Sequence, residues 1–419
     1  MREPRRVAFV EKVFLDRRAS AFALRGVELF NLRLVRDLCA GGLRVDLFAE
    51  PSWDETIRRE IPGAKNLRIV ASNGFGSSFL AGLAAAFRVR SLARREGRYD
   101  ALLLGNVANR LIPALWLLKS GRDFARATLV AHREPSPRFL RAIRRMPGRV
   151  VAVSEPVAAD FRDQGLAADV VVDYGIMDAD LFHPSAGKSV VPGALAQGAA
   201  FPSAGKSVAP GALAQGAAFP SASKSVVPGA PSPGGAGARG REAPCRFCIL
   251  GALDNAWKGA DTAIAAFRLL PDALRARCEL HLMAYRSPPT FPGEPGIVAY
   301  PWRGATGIPD FLRSMDAMLV PSRDEHVMRE TFSQSVVQGM LTGLPVVYAP
   351  IPVLAEKFDR GGGIAATSPQ EFAAAMARLA ESPSLRATLG AKGRETALAR
   401  YVWHTRRFIE RHLFQGDAP

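Results

Sequence analysis

Cysteine is scarce, with four in 419 residues at positions 39, 245, 248 and 278. So few exclude a disulfide framework and fit a reducing compartment. Cys245 and Cys248 stand close together, but a zinc site needs two further ligands, which only Cys278 or scattered histidines could supply, so no metal is expected. Long hydrophobic runs are also missing. Residues 111–118 are apolar but far short of the roughly 18 needed to span a bilayer, and the apolar stretch 7–10 runs at once into charge, which leaves no signal-peptide core. The expected location is the cytoplasm. No Gly-x-Gly-x-x-Gly follows the first strand, where the sequence reads EKVFLDRRASAFALRG, and this argues against a dehydrogenase of two α/β domains. Nor is there a Cys/His finger, an aromatic RNA-recognition strand or a basic arm before heptads, so the net charge of +16 comes without a nucleic-acid reader and no nucleic acid is expected as a partner.

What is present is a globular composition. Hydrophobic residues make up 48% and charged residues 22%, with 23 Phe, and the length suits two domains with cores of their own. Strands are expected at 5–10, 44–49, 99–104, 127–131 and 149–154, with helices at 26–39, 110–119 and 156–164. Strand and helix alternate again after 246, with strands at 247–250, 279–284, 317–321 and 345–349 and helices at 258–270, 308–314, 331–342 and 369–379. This rhythm predicts doubly wound α/β domains with ligands at the carboxyl ends of the strands. The excess of 55 basic over 39 acidic residues favours a phosphate-bearing ligand or an anionic surface.

Between the halves the periodicity stops. Copies of PSAGKSVVPGALAQGAAF begin at Pro184, Pro202 and Pro220, a period of 18 residues. Pro, Gly, Ser and Ala without bulky core residues do not offset ordering entropy, so 185–243 is expected to be a disordered insertion, inert to the fold. The strings ending at Ser189 and Ser207 imitate a P-loop tail, but Phe182 and Ala200 stand where its first Gly belongs, with neither the strand nor the helix that motif requires.

The densest motif is SRDEHVMRETFSQSVVQGMLTGLPVVYAP, where Glu330 precedes a helix and Gly343 and Pro345 close it. Backbone donors at that helix start suit a phosphate or sugar oxygen, and Glu330 can accept from hydroxyls, although an acidic residue there also serves as a simple cap. The stretch resembles the Glu-x7-Glu signature of the retaining GT-B glycosyltransferases of family 4, with Pro321, Ser322, Glu330, Phe332, Ser333, Gln338, Gly343 and Pro345 on the pattern. Gly26-Val27-Glu28, VAVSEPVAADF from Val151, YGIMDADLFHP from Tyr174 and GALDNAWKGADTAIAAF from Gly251 are similar to further family segments in the same order.

The resemblance implies a GT-B fold in which two Rossmann-like domains face each other across a cleft. An N-terminal acceptor-side domain would occupy 1–184 and a nucleotide-sugar domain 244–396, with a C-terminal helix in 397–419 packing back on the first domain. It implies no cofactor, a nucleoside diphosphate sugar as donor, and a glycan, lipid-linked or small-molecule acceptor in cell-envelope polysaccharide or glycolipid synthesis. Catalytic roles fall by resemblance on His132, Lys258 and Glu330, and donor contacts on Gly26, Lys258, Glu330, Phe332, Ser333 and Gln338. Lys258 would meet the diphosphate, Glu330 the sugar and Gln338 the ribose. Three positions depart from the pattern: Gln338 replaces the second Glu, Ala252 the Arg that accompanies the lysine, and Arg25 the first glycine of the Gly-Gly loop. Gln is a weaker acceptor than a carboxylate, and losing Arg removes a bidentate phosphate donor. A catalytically degenerate interaction subunit, and a nucleotide-sugar epimerase, are the competing readings. The stretch 79–98, apolar at first and then carrying Arg88, Arg90, Arg94, Arg95 and Arg98, fits a helix lying on an anionic membrane or one packed on its own sheet.

Overall fold

Short runs of Val, Ala, Leu and Phe, each closed by charge or glycine, become central strands covered on both faces, as parallel sheets require. The computed structural model describes residues 4–16, 26–72, 78–171, 174–185, 243–284, 293–301, 304–324 and 330–414. The repeats at 186–242 and the expected loop residue Arg25 lie outside the described residues.

In the first domain the order is β1 (Arg6–Val10), α1 (Gly26–Ala40), β2 (Arg44–Ala49), α2 (Asp54–Glu60), β3 (Leu67–Ala71), α3 (Ser78–Glu96), β4 (Tyr99–Leu104), α4 (Ile112–Leu118), β5 (Phe124–Ala131), α5 (Pro137–Ile143), β6 (Gly148–Ala152), α6 (Glu155–Asp163) and β7 (Ala168–Val170). The second domain runs β8 (Cys245–Gly251), α7 (Ala260–Arg268), α8 (Asp272–Arg275), β9 (Cys278–Ala284), β10 (Ile297–Pro301), α9 (Gly304–Arg313), β11 (Ala317–Val320), α10 (Gln334–Leu341), β12 (Val346–Tyr348), α11 (Pro352–Ala355), β13 (Gly363–Ala365) and α12 (Pro369–Glu381). The chain ends with α13 (Pro383–Arg400) and α14 (Thr405–Phe408).

All strand pairs are parallel, in the orders β3-β2-β1-β4-β5-β6-β7 and β10-β9-β8-β11-β12-β13. The order reverses between β1 and β4 and between β8 and β11, which opens a crevice at the carboxyl end of each sheet. The first crevice receives the loops that carry Glu11 and Gly105, and the second those that carry Lys258 and Ser322. At the opposite, amino end of the first sheet, buried Asp46 accepts from Arg6, Arg68 and the Tyr99 hydroxyl, a structural ion network away from the crevice. Burial alone would raise the Asp46 carboxyl, but the Arg68 and Tyr99 hydrogen bonds hold it below its ordinary value.

The chain crosses between the domains twice. Ile176, after β7, forms a parallel bridge with Val402, after α13, with Ile176 N–H donating to Tyr401 O at 2.9 Å and Trp403 N–H to Ile176 O at 3.1 Å. Beyond it Trp403 stacks edge-on to Phe30 of α1, Thr405 Oγ1 donates to Asp37, and Thr128 Oγ1 of β5 donates to His412 O at 2.9 Å. The C-terminal helix expected within 397–419 is instead the last turn of α13, then α14 followed by a π turn over Ile409–Leu413. The α2, α5 and α13 helices and the β3, β7, β10 and β13 strands lack a sequence expectation. β7 and β13 have three residues each, too few to show a period.

Candidate functional site

Lys258 and Glu330 are 72 residues apart and meet in space as an ion pair, Nζ to Oε1. Their side chains are 13% and 6% exposed, so the pair is largely desolvated. Lys258 sits at the end of a single 3₁₀ turn over Ala256–Lys258, and the helix expected from 258 begins only at Ala260. Gly259 makes that break. Its φ of 71° is left-handed, and a Cβ there would lie 2.1 Å from Pro321 O, so glycine is required both by conformation and by close approach to the loop after β11. The same loop supplies Ser322, whose hydroxyl donates to Glu330 Oε1 at 3.2 Å. Trp257 lies under the Lys258 ammonium at 4.6 Å, an attraction of cation and ring face. Arg323 is no substitute for the missing arginine at Ala252, because it is bonded to Asp261 and Thr262.

Glu330 opens a tight segment leading into α10, whose helix starts at Gln334 rather than at 331 because Ser333 adopts φ 61°. Left-handed backbone at a non-glycine residue costs of the order of 1 kcal/mol and marks a place where the surroundings hold the chain. Ser333, at the N-cap of α10, is 7% exposed and its hydroxyl has no hydrogen-bond partner among the described residues. Phe332 is buried edge-on against Tyr174 at 4.5 Å, and so is a wall residue rather than an open contact. Gln338, one turn further along α10, is also buried.

From the first domain come Gly26 and His132. Gly26 begins α1, and Gln334 Nε2 donates to its carbonyl at 3.4 Å, so the amino ends of α1 and α10 meet across the cleft. His132 follows β5 and is 5% exposed. Burial pushes its imidazole down to about 3, so the ring is neutral at physiological pH. Its Nδ1 is 3.3 Å from the Tyr174 hydroxyl, and Nε2 has no partner among the described residues. The donor in that contact depends on the ring tautomer: where the Tyr174 hydroxyl donates to Nδ1, the ring proton lies on Nε2.

The geometry thus gathers Lys258, Glu330 and Ser333 on the second domain and links Gly26 and His132 to α10 through Gln334 and Tyr174. Sequence reasoning gave no site role to Gln334, Tyr174, Ser322 and Trp257, although all four lie inside segments that the family resemblance covers. Gln334 and Tyr174 join domains, and no local pattern encodes that. Among the described residues no group of three potential metal ligands occurs. The four cysteines are buried and none is in a disulfide.

Residues 244–382 match the family model described as glycosyl transferases group 1. No curated protein matches the chain. Solved structures do. Sucrose-phosphate synthase (tll1590) from Thermosynechococcus elongatus is 14% identical with a TM-score of 0.64 over 96% of each chain. Anabaena Alr3699/HepE, in complex with UDP and glucose, is 16% identical with a TM-score of 0.61, over 95% of this chain and 96% of that one. WaaG, a glycosyltransferase involved in lipopolysaccharide biosynthesis, is 13% identical with a TM-score of 0.56, over 94% and 95%. At such identities the likeness establishes architecture, two parallel-sheet domains across a cleft. The chain therefore has the GT-B fold, and residues 244–382 of its second domain are similar to the group 1 glycosyl transferases.

Proposed function

We propose that the protein transfers a sugar, with retention, from a nucleoside diphosphate sugar to a glycan, lipid-linked or small-molecule acceptor. The observation that carries this reading is the desolvated Lys258–Glu330 pair, whose Glu330 leads into the α10 start that Gln334 ties to the Gly26 carbonyl at the amino end of α1. A diphosphate entering there is a stronger counter-ion for Lys258 than one carboxylate, and its arrival frees Glu330 to accept from sugar hydroxyls. Lys258 then stabilises charge gathering on the leaving diphosphate. The α10 amino end with the Ser333 hydroxyl adds neutral donors, and Gln338 is the ribose contact. Neutral His132 offers Nε2–H to a sugar oxygen rather than a positive charge. The leaving phosphate helps to deprotonate the acceptor, so no protein nucleophile is needed. UDP-sugars lead the candidate donors because Alr3699/HepE has been crystallised with UDP-glucose.

Calorimetric titration with UDP-, GDP-, ADP- and dTDP-sugars tests the reading. Selective micromolar binding is expected. Silence across the panel would favour a degenerate interaction subunit, with Gln338 and Ala252 as its cause.

A lipid-linked acceptor at an anionic membrane has support from one face of the first domain. Residues 78–149 hold 15 Arg and Lys against four Asp and Glu, a net +11 of the chain's +16. The α3, α4 and α5 helices pack in succession, and Leu80, Phe87 and Trp116 on them are 43%, 60% and 38% exposed. Leu80 and Phe87 are two turns apart on one side of α3, and Lys119 and Arg145 flank the Trp116 ring at 5.0 and 4.4 Å. Apolar side chains ringed by arginine suit lipid headgroups and acyl boundaries. Among the described residues no helix is long and apolar enough to cross a membrane. Vesicles with phosphatidylglycerol are expected to sediment the protein and neutral vesicles not to, and the double change Phe87→Ser, Trp116→Ser is expected to cut that binding about ten-fold. Equal binding to both vesicle types would rule out this surface.

A further inference from the structure

A second pocket, of about 250 Å³, lies between the domains on the side of Phe332 where the chain crosses over. Ser154, Tyr174, Phe332, Lys357, Arg400 and Tyr401 line it, with Glu356 at its wall. Its polar groups are incompletely matched. Lys357 is 1% exposed, yet its one hydrogen bond among the described residues is a long one to Val353 O at 3.4 Å. The ammonium otherwise rests over the Phe332 and Tyr401 rings, at 4.3 and 4.8 Å. A buried lysine ordinarily has a carboxylate in contact. Here the neighbouring Glu356 pairs with Arg400 at 3.6 Å instead. Burial pushes Lys357 down to about 8, so it still carries its charge at pH 7.

Two more donors are idle. The Ser154 and Tyr401 hydroxyls are buried without a partner among the described residues. Ser154 occupies the N-cap position of the nine-residue α6 without capping it, which leaves the first-turn amides of that helix, other than Pro156 that has none, without a side-chain cap. The unmade bonds are thus those of a cation, two hydroxyls and a helix amino end, and a ligand that completes them is small, anionic and rich in acceptors.

We propose that this pocket is a phosphoryl-binding site separate from the donor cleft, and that an anion bridging Ser154 of the first domain to Lys357 of the second and to Tyr401 of the returning chain holds the domains closed. The ligand is inorganic phosphate or the phosphate of a phosphorylated sugar. The coupling of closure to donor binding rests on the glycosyltransferase reading; the anion site itself does not.

The test is calorimetric titration of the full chain with inorganic phosphate and with glucose 1-phosphate. Binding is expected in the wild type and in Lys258→Ala, weakened at least about ten-fold in Lys357→Met and less in Tyr401→Phe. Methionine fills the lysine's volume without a charge, so Lys357→Met is expected to melt no lower than the wild type. Tighter binding of glucose 1-phosphate identifies a sugar phosphate as the ligand, and equal binding identifies phosphate. Binding that disappears in Lys258→Ala but persists in Lys357→Met, or no binding up to about 10 mM, overturns the site. With a donor from the panel, saturating phosphate is expected to lower its Kd in the wild type and not in Lys357→Met, and an unchanged Kd overturns the coupling. A wild type that binds phosphate but no nucleotide sugar defeats the glycosyltransferase reading and leaves the anion site standing.

Discussion

Lys258→Ala is expected to weaken the nucleoside diphosphate and its sugar alike, by about ten-fold or more, whereas Glu330→Ala is expected to leave the bare diphosphate within about three-fold and to abolish any preference for the sugar-bearing form. The asymmetry follows from the ion pair. The lysine faces whatever is negative, and that is the diphosphate in both ligands. Glu330 meets only the sugar, and its removal also releases Lys258 from a competing carboxylate, which offsets part of the loss. Transfer is expected to fall at least about ten-fold in each variant, equivalent to about 1.4 kcal/mol of transition-state stabilisation. Removing one member of a buried pair strands the other, at a stability cost of about 3–5 kcal/mol where burial is complete. The pair is 13% and 6% exposed, so melting temperatures must accompany the titrations. Lys258→Met, Glu330→Gln restores packing without either charge and serves as the folded control. Should Lys258→Ala bind both ligands as the wild type does, the diphosphate does not sit at this lysine.

Much of the fold was legible because its strands announce themselves. Residues 6–10 and 99–104 are apolar runs closed by charge or glycine, and covered strands of a parallel sheet have that form. Short edge strands such as β7 and β13 have no period to detect, and Pro301 at the end of β10 hides it from propensity. Helix starts failed for a local reason. Lys258 and Thr331 look like first-turn residues, but Gly259 at φ 71° and Ser333 at φ 61° interrupt the backbone and move the starts to Ala260 and Gln334. Lys258 and Glu330 could be paired on paper only by family resemblance, since 72 residues separate them. Lys357 could not be singled out at all. In sequence it is one lysine among acidic and basic neighbours, and it becomes unusual only when Phe332 and Tyr401 close over it.

Gly175→Ala tests how the two domains are held. A Cβ on Gly175 would lie 1.7 Å from the Tyr401 carbonyl oxygen and 2.1 Å from its carbon. Both are backbone atoms, so no rotamer change relieves the overlap, and one of the crossing strands must move by more than an ångström. The bridge between Ile176 and Val402 breaks when it does, and Tyr174, one residue away, shifts relative to His132 and Phe332. The expected result is a loss of about 3 kcal/mol or more, seen as a melting temperature lower by at least about 5 °C, together with weaker donor binding. Gly293→Ala is the matched control, because nothing lies within 4 Å of the Cβ it would add. Its melting temperature is expected to stay with the wild type. The two readouts separate two roles. A melting temperature that falls while donor affinity holds would make the crossing a staple of the fold alone. An affinity that falls with it would mean that the same contact sets the angle at which α1 and α10 meet, and so ties the donor cleft to the chain's return. If Gly175→Ala instead melts and binds as the wild type does, Tyr401 and Gly175 do not hold the domains together.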